Sequence, residues 1–197
     1  MSPSGRKIDN RVFRRFPLLE TGRLRLRPLH RQDAFDLLAL RTDPDVMRYM
    51  DVKPFRSVQE ARQWIATYRQ RFRKKKSLVW ALATKSDDRF IGYAGFWRMM
   101  PEQLRAEIAY AILPSDWGKG LMSEAMQAML DFGFQQLRVH SIEANINPEN
   151  LRSRKLLEKF GFSQEAHFRE NYFFEGQFID TVVFSILEQD WKEKLIS

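Results

Sequence analysis

Apolar and polar residues alternate with a period of two over several short stretches of the chain, a pattern that predicts β-strands. The first runs from Arg23 to Arg27, where apolar and basic residues alternate until Pro28 ends the strand. The segment Ala106–Leu113 is nearly all apolar, which is typical of a central strand. The remaining predicted strands are Leu78–Thr84, Phe90–Met99, Val139–Ile146 and two final segments centred on Tyr172–Phe174 and Thr181–Leu187.

Two helices are predicted before the first long strand. The first begins at Asp33 and ends near Arg41, because its apolar positions recur every three to four residues. The second begins after Ser57, which has Glu60 three residues later and so fits a capping box, and it extends into the basic run at 74–76.

Two further helices follow the central strand. The first begins after Gly120, and its apolar residues form two adjacent stripes that together predict a broad buried face. A short later helix is capped by Asn150 and closed by Gly161. The two stripes are Met122, Met126, Met129 and Gly133, and Leu121, Ala125, Ala128 and Phe132.

The order of these elements, β-α-α-β-β-β-α-β-α-β-β, indicates an α/β fold: a mixed, largely antiparallel sheet with helices on both faces. A chain of 197 residues with 44% hydrophobic residues fits a single domain with one sizeable core. We expect residues 1–16 to form a flexible basic arm and residues 17–197 to form the folded domain.

Composition excludes several classes of protein and site. No apolar run is long enough to cross a membrane, and the basic start lacks the apolar core of a secretory signal, so we expect a cytoplasmic protein. The absence of cysteine excludes disulfides, cysteine-ligated zinc and a cysteine nucleophile. The three histidines, His30, His140 and His167, lack the close spacing of metal ligands, and no metal site is expected.

The net charge of +8 is concentrated in two segments. These cations either form a solvated helix end and a frayed tail, or they attract a polyanion such as a phosphorylated cofactor, ribosomal RNA or an acidic protein surface. Charge alone does not separate the two interpretations. The cations are Arg69, Arg71, Arg73, Lys74, Lys75 and Lys76 in one segment, and Arg6, Lys7, Arg11, Arg14 and Arg15 in the other.

The junction between the apolar strand and the following helix has the composition of an anion-binding turn. Gly118 and Gly120 would let an anion approach the backbone closely, and the first N–H groups of the helix lack intrahelical acceptors. Lys119 adds a positive charge. Two glycines at such a turn are weak evidence alone, and the segment matches neither a Walker loop nor a Rossmann fingerprint.

Glu107 is the one charged residue in the apolar strand Ala106–Leu113. Alternation places its side chain on the same face as Ala109 and Ala111. Burial would raise its pKa, which suits a general base working near neutral pH. The alternative is a structural glutamate at a strand end, paired with Arg105 or another strand.

Four segments in this order resemble the GNAT superfamily of N-acetyltransferases, in the variant found in the RimJ/RimL group of ribosomal-protein-alanine acetyltransferases. The resemblance covers nearly the whole chain, from Leu18 to Trp191. The segments are Thr21-Gly22-Arg23-Leu24-Arg25-Leu26-Arg27, Trp117-Gly118-Lys119-Gly120, Asn150-Leu151-Arg152-Ser153-Arg154-Lys155-Leu156-Leu157-Glu158-Lys159-Phe160-Gly161-Phe162 and Asp180-Thr181-Val182-Val183-Phe184-Ser185.

The resemblance implies a GNAT fold over residues 17–197 that binds acetyl-CoA, with no metal. It implies that the end of the central strand, Ile112 and Leu113, pairs with the pantetheine arm. Asn150 and Ser153 match positions that line the cofactor on its other side, although Asn150 also fits a plain helix cap. The pyrophosphate would lie on the backbone amides of Trp117, Gly118, Lys119, Gly120, Leu121, Met122 and Ser123.

The resemblance also implies the chemistry, which is direct acetyl transfer to an amine with Glu107 as the base. The chain departs from the superfamily at Ser115, where Gln or Arg is usual, and at Leu157, where many members have a tyrosine general acid. The acid would then be Ser153 or a water molecule.

The acceptor remains open at this stage. The N-terminus of a ribosomal or other protein ranks first, followed by a small amine such as a polyamine, an amino acid or an antibiotic. The rival function is a catalytically inactive ribosome- or RNA-binding module with the same fold. The chain would be a monomer or a homodimer, with weak RNA contact through its basic segments.

Overall fold

The computed structural model describes residues 5–196, which form one sheet of eight strands flanked by six α-helices. The strands are β1 (Leu19–Glu20), β2 (Leu24–Arg27), β3 (Leu78–Thr84), β4 (Phe90–Met100), β5 (Arg105–Ile112), β6 (Ser141–Ile146), β7 (Ser163–Phe174) and β8 (Gln177–Leu187). The helices are α1 (Ala34–Thr42), α2 (Pro44–Met47), α3 (Val58–Arg73), α4 (Leu121–Asp131), α5 (Leu151–Lys159) and α6 (Glu188–Ile196).

The strands lie side by side in the order β1-β2-β3-β4-β5-β6-β8-β7. Every neighbouring pair is antiparallel except β5 and β6, which run parallel. This arrangement confirms the predicted mixed, largely antiparallel sheet. The parallel pairing extends only from Arg105↔Ser141 to Glu107↔Glu143, although β5 continues to Ile112. The sheet therefore opens between β5 and β6 beyond Glu107.

Hydrophobic clusters cover both faces of the sheet. One face packs against α4, α5 and α6, and the other packs against α1 and α3. Successive side chains of β5 alternate between the two clusters, as strand geometry requires. Ala106, Ile108 and Ile112 belong to the first cluster, and Ala111 belongs to the second.

Helix α4 forms where the two apolar stripes predict it. Leu121, Ala125, Met126 and Met129 are buried in the first cluster, whereas Met122 is only half-buried at the margin. A π-helical segment, Phe132–Leu137, continues the helix and was not predicted.

The start of α3 corrects one detail of the predicted capping box. The Ser57 hydroxyl accepts a hydrogen bond from the Glu60 N–H at 3.3 Å, as expected. The Glu60 carboxylate, however, accepts from the N–H of Arg56 at 2.8 Å rather than from the cap residue. Strand β1 and helices α2 and α6 had no predicted counterpart, since each is too short or too irregular in pattern to show a period.

The N-terminal segment packs on the domain where a flexible arm was expected. Ile8 is buried, and the Asp9 N–H donates to the Leu137 carbonyl at 2.9 Å. The rings of Phe13 and Phe16 both contact Phe72, with centroids 5.3 and 4.8 Å away. The difference arises because three isolated apolar residues anchor a segment whose composition is otherwise polar and basic. Residues 1–4 of the expected arm lie outside the described residues.

Within residues 5–196, none of the helices is both long and apolar enough to cross a membrane.

Candidate functional site

The opening between β5 and β6 exposes one backbone edge of β5. The Leu113 N–H donates to the Ile91 carbonyl at 2.8 Å, so this residue faces β4. Backbone groups alternate in direction along a strand, and those of Ile112 therefore face the opening. The Ile112 carbonyl accepts a hydrogen bond from the indole Nε1 of Trp117 at 2.8 Å. This contact ties the end of the strand to the loop that follows.

The loop between β5 and α4 turns on two glycines in the left-handed region. Gly118 has φ = 71° and Gly120 has φ = 76°, values that residues with a Cβ rarely adopt. Within the described chain, the N–H groups of Gly118, Lys119 and Gly120 donate to no acceptor. They adjoin the start of α4, where the first N–H groups also lack intrahelical partners. The turn thus presents a run of free donors suited to anionic oxygen atoms.

Side chains of the residues that directly precede β2 and β4 brace this loop. Arg23 donates from Nη1 to the Lys119 carbonyl at 2.9 Å and forms an ion pair with Glu124 on α4. Asp116 is buried and accepts from Arg89 at 3.2 Å and from Lys119 Nζ at 3.0 Å. Burial alone would raise the pKa of Asp116, but the hydrogen bonds from both cations outweigh it and lower the pKa.

The ion pair with Asp116 reduces the positive charge that Lys119 can supply to an anion at this turn. Its ammonium is about half exposed but already neutralised by a carboxylate, so it adds less charge to the turn than the sequence suggested. A second cation lies nearby: the Arg152 guanidinium sits 4.3 Å from the centroid of the Trp117 ring.

The first turn of α5 brings Ser153 to the edge of β5. Asn150 caps the helix, since its side chain accepts the Ser153 N–H at 3.1 Å. The Ser153 side chain is buried, and its Oγ lies 2.6 Å from the hydroxyl of Tyr110 on β5. Burial raises the pKa of Tyr110 to about 12, and the hydrogen bond with Ser153 offsets part of this effect. Tyr110 therefore stays protonated at neutral pH and can donate to Ser153.

Glu107 lies at the last residue pair before the sheet opens. It is 4% exposed, and its Oε1 accepts a hydrogen bond from Asn145 Nδ2 at 2.8 Å. Its Oε2 has no hydrogen-bond partner in the described chain, with the Arg98 guanidinium 3.7 Å away. Burial raises the pKa of Glu107, and the hydrogen bond from Asn145 offsets only part of the rise. Arg105 pairs with Glu143 instead, at 2.6 Å.

The site has two sides, separated by the sheet. Alternation along β5 places Glu107 on the face of Ala111, toward α1 and α3, and Tyr110 on the opposite face with Ser153. Glu107 and Ser153 thus do not touch, and the opening between β5 and β6 is the route that connects their two sides. The glycine loop and the start of α4 lie on the same side as Ser153.

Sequence reasoning missed three participants of this site. Asn145, Arg152 and the pairing of Tyr110 with Ser153 depend on contacts between distant segments. Tyr110 and Ser153, for example, are separated by 43 positions. Strand β6 also contains Ser141 and Glu143, so no signal in the sequence singled out Asn145.

Comparison with known proteins assigns the chain to a family. The model of the acetyltransferase (GNAT) domain matches residues 23–163. The p20 protein of Bacillus licheniformis, an uncharacterized N-acetyltransferase, is 36% identical over 173 residues, which are 88% of this chain and 97% of that protein.

Two relatives in Escherichia coli have named acceptors. The [ribosomal protein uS5]-alanine N-acetyltransferase is 29% identical over 182 residues, covering 88% of this chain and 92% of the relative. Spermidine N(1)-acetyltransferase is 24% identical over 168 residues, covering 85% and 88%.

Solved structures show the same fold. The ribosomal L7/L12 α-N-protein acetyltransferase RimL, determined in complex with coenzyme A, superposes with a TM-score of 0.78 at 16% identity, covering 87% of this chain and 98% of that one. The chain belongs to the GNAT family of acetyl-CoA-dependent N-acetyltransferases, and it is similar to the RimJ/RimL group within that family.

Proposed function

We propose that this protein transfers the acetyl group of acetyl-CoA to the α-amine of a protein N-terminus, with Glu107 as the general base. The observation that carries the proposal is the position of this carboxylate. It is buried, has one oxygen without a hydrogen-bond partner, and lies where β5 and β6 separate. This oxygen forms only a long ion pair with Arg98, 3.7 Å away, so it retains a lone pair for the proton of an ammonium group, as a base requires.

The residues present fit acetyl-CoA on the side of Ser153. The free N–H groups of Gly118, Lys119 and Gly120, together with the N-terminus of α4, suit the pyrophosphate. The free backbone edge of β5 offers hydrogen bonds to the amides of the pantetheine arm at Ile112, whereas the Leu113 N–H, which the sequence also suggested, already donates to the Ile91 carbonyl on the β4 side. The remaining donor groups proposed for the pyrophosphate belong to Leu121, Met122 and Ser123. The Trp117 N–H, expected from the sequence to join them, already donates to the Pro114 carbonyl at 3.1 Å, and Asn150 acts through its cap of α5.

The bound thioester is already activated toward attack, so the protein's own residues need only move two protons. Glu107 accepts the proton of the acceptor ammonium, directly or through water, and the freed lone pair attacks the thioester carbonyl carbon. The bond from that carbon to sulfur then breaks. Ser153 would donate a proton to the departing sulfur and recover one from Tyr110, which takes the place of the tyrosine that is absent at Leu157. The second proton, lost by the acceptor nitrogen as the amide forms, returns through water to Tyr110, and the proton on Glu107 passes to solvent.

The charge of the protein favours a protein acceptor over a polyamine. A chain with a net charge of +8 repels a polycation such as spermidine over long range, whereas a polypeptide N-terminus carries one local positive charge. The relative with a protein acceptor is also the more similar of the two, at 29% against 24% identity. The likeness to the spermidine enzyme keeps a small polyamine as the second candidate.

The reaction is tested with Glu107→Gln, which keeps the shape of the side chain but cannot accept a proton. We expect kcat to fall by roughly 10²–10⁴-fold while the thermal shift caused by acetyl-CoA is unchanged. Wild-type activity should also fall as the pH is lowered, because Glu107 becomes protonated. Since the pKa of Glu107 is raised, this fall should begin above the usual glutamate range, and it should be absent in the variant. The matched control is Glu143→Gln, which removes a neighbouring carboxylate on β6 that is occupied by Arg105.

A normal kcat for Glu107→Gln would contradict its role as the base.

The acceptor is tested separately by measuring thiol release with peptides of different N-terminal residues, with spermidine and with free amino acids. We expect the highest kcat/KM with a peptide. If kcat/KM is higher for spermidine than for every peptide, the acceptor assignment is wrong, although the acetyltransferase activity stands.

A further inference from the structure

A groove lined by four arginines runs along the outer face of α3, away from the site described above. It has a volume of about 460 Å³, and α3 supplies most of its polar lining at helical spacing, so that these side chains share one face. No acidic residue of the described chain lines it. Its polar lining consists of Arg31, Gln59, Arg62, Gln63, Arg69 and Arg73.

The arginines of the groove lack counterions. Within residues 5–196, Arg31, Arg69 and Arg73 form no ion pair, and the Nε of Arg62 is buried without a hydrogen-bond partner. Elsewhere many surface cations are neutralised, as Lys119 is by Asp116. Clustered cations without acidic partners repel each other, and a bound polyanion relieves that repulsion.

An exposed aromatic ring adjoins this row of cations. Phe35 on α1 is 62% exposed, and the Arg62 guanidinium lies 5.8 Å from the centroid of its ring. A positive groove next to an exposed aromatic ring is the arrangement that binds single-stranded nucleic acid, because bases stack on the ring while phosphates meet the cations. An acidic polypeptide would use the charges but leave the ring without a partner.

We propose that this groove binds a segment of single-stranded RNA. Arg62, Arg69 and Arg73 contact phosphates, and a base stacks on Phe35. From Arg62 to Arg73 the helix rises by about 16 Å, which faces roughly five stacked nucleotides at 3.4 Å each. The neutral amides of Gln59 and Gln63 are suited to the ribose 2′-hydroxyl, the group that distinguishes RNA from DNA.

The phosphate contacts are tested by fluorescence anisotropy of a labelled, mixed-sequence 12-nucleotide RNA with the full chain over a series of salt concentrations. The double variant Arg69→Gln/Arg73→Gln should weaken binding by about tenfold and lower the slope of log affinity against log salt by about 1.4, or 0.7 for each lost contact. The matched control, Arg169→Gln/Lys192→Gln, removes the same charge from β7 and α6. Equal weakening by the two double variants would overturn the groove as the binding site.

The stacking contact is tested with Phe35→Ala, a change at an exposed position. It should weaken RNA binding by about fivefold or more without altering the salt slope, since no charge is lost. DNA of the same sequence should bind several-fold more weakly. A polyglutamate peptide should not displace the RNA when the two are present at equal concentrations of negative charge. An unchanged affinity for Phe35→Ala, equal affinity for DNA, or displacement by polyglutamate would each overturn the assignment to RNA.

Discussion

The hydroxyls of Tyr110 and Ser153 lie 2.6 Å apart, and we propose that they act in place of a tyrosine that many members of the superfamily carry on the late helix. Position 157, where that tyrosine would stand, is a fully buried leucine that packs in the core beneath α5. In the proposed mechanism the proton therefore comes from the strand rather than from the helix, with Ser153 between the two. Tyr110 is a positioning residue in this arrangement, because it acts through Ser153.

This dependence predicts strongly non-additive effects of substitution. Ser153→Ala should lower kcat by about 10²-fold, and Tyr110→Phe should lower it less, with KM for acetyl-CoA unchanged in both. The double variant should be no slower than Ser153→Ala alone, because Tyr110 has no separate path to the sulfur. Steady-state kinetics of the four proteins measures this coupling. If the fold-loss in kcat of the double variant equals the product of the two single losses, the two hydroxyls act independently.

Single functional residues could be predicted from the sequence where their chemical type differs from that of their neighbours in the chain. Glu107 stands out as one carboxylate in an apolar strand, and its burial and the oxygen that accepts no hydrogen bond agree with that signal. Asn145, which orients it, could not be paired with it, because the register of β6 against β5 is a long-range property. The same reason hid the contact of Tyr110 with Ser153.

The turn from β5 into α4 depends on backbone conformation more than on charge. At Gly118 a Cβ would meet no atom within 4 Å, so any substitution there acts through its φ of 71° alone. The hydrogen bond from Arg23, which directly precedes β2, to the Lys119 carbonyl holds the same turn. Lys119 itself is held by Asp116.

The thermal shift retained by a Gly118 variant should therefore depend on how readily the new residue adopts a left-handed backbone conformation. Gly118→Val should abolish the thermal shift caused by acetyl-CoA, whereas Gly118→Asn should retain much of it, since Asn enters this region at low cost. Lys119→Ala should reduce the shift only modestly. Differential scanning fluorimetry with and without acetyl-CoA provides the measurement. Equal losses for Asn and Val would mean that the side chain, not the backbone, matters at this position.

Regular elements were predictable to the extent that their apolar residues keep a period. Strands β3, β4 and β5 and helix α4 have uninterrupted patterns, and the structure confirms them close to their predicted bounds. The π-helical segment Phe132–Leu137 carries the same apolar residues as an α-helix would, and its widened turn follows from packing around Gly133. A Cβ at that glycine would lie 2.9 Å from Ile142 Cδ1 and Phe96 Cζ.

The N-terminal segment is an integral part of the folded molecule in this structure. Besides the burial of Ile8, Arg6 forms an ion pair with Glu188 at 2.5 Å, and the Trp80 indole donates to the Pro17 carbonyl at 2.8 Å. These contacts link the start of the chain to its last helix and to the middle of the sheet. Isolated anchors of this kind show no period, and that is why the sequence indicated a free arm.

Removal of residues 2–14 should therefore destabilise the protein. Loss of the buried Ile8 side chain alone costs at least about 2 kcal/mol, which corresponds to roughly 4–8 °C in Tm for a domain of this size. Removal of residues 2–5 should leave Tm within about 1 °C, because it spares Arg6, Ile8 and both phenylalanines. Thermal unfolding followed by circular dichroism compares the two truncations. A flexible arm would give the same Tm for both.

Three residue pairs of one parallel ladder join β1–β5 to β6–β8 through the backbone. The sheet is therefore weakest along the line where the donor is proposed to bind, and an extended arm laid on the free edge of β5 supplies hydrogen bonds that β6 does not. Occupancy of the site then adds to the free energy of unfolding by RT ln(1 + [L]/Kd). On the proposed function, the cellular supply of acetyl-CoA governs how long each molecule survives as well as how fast it works, so starvation for the donor shortens the protein's lifetime.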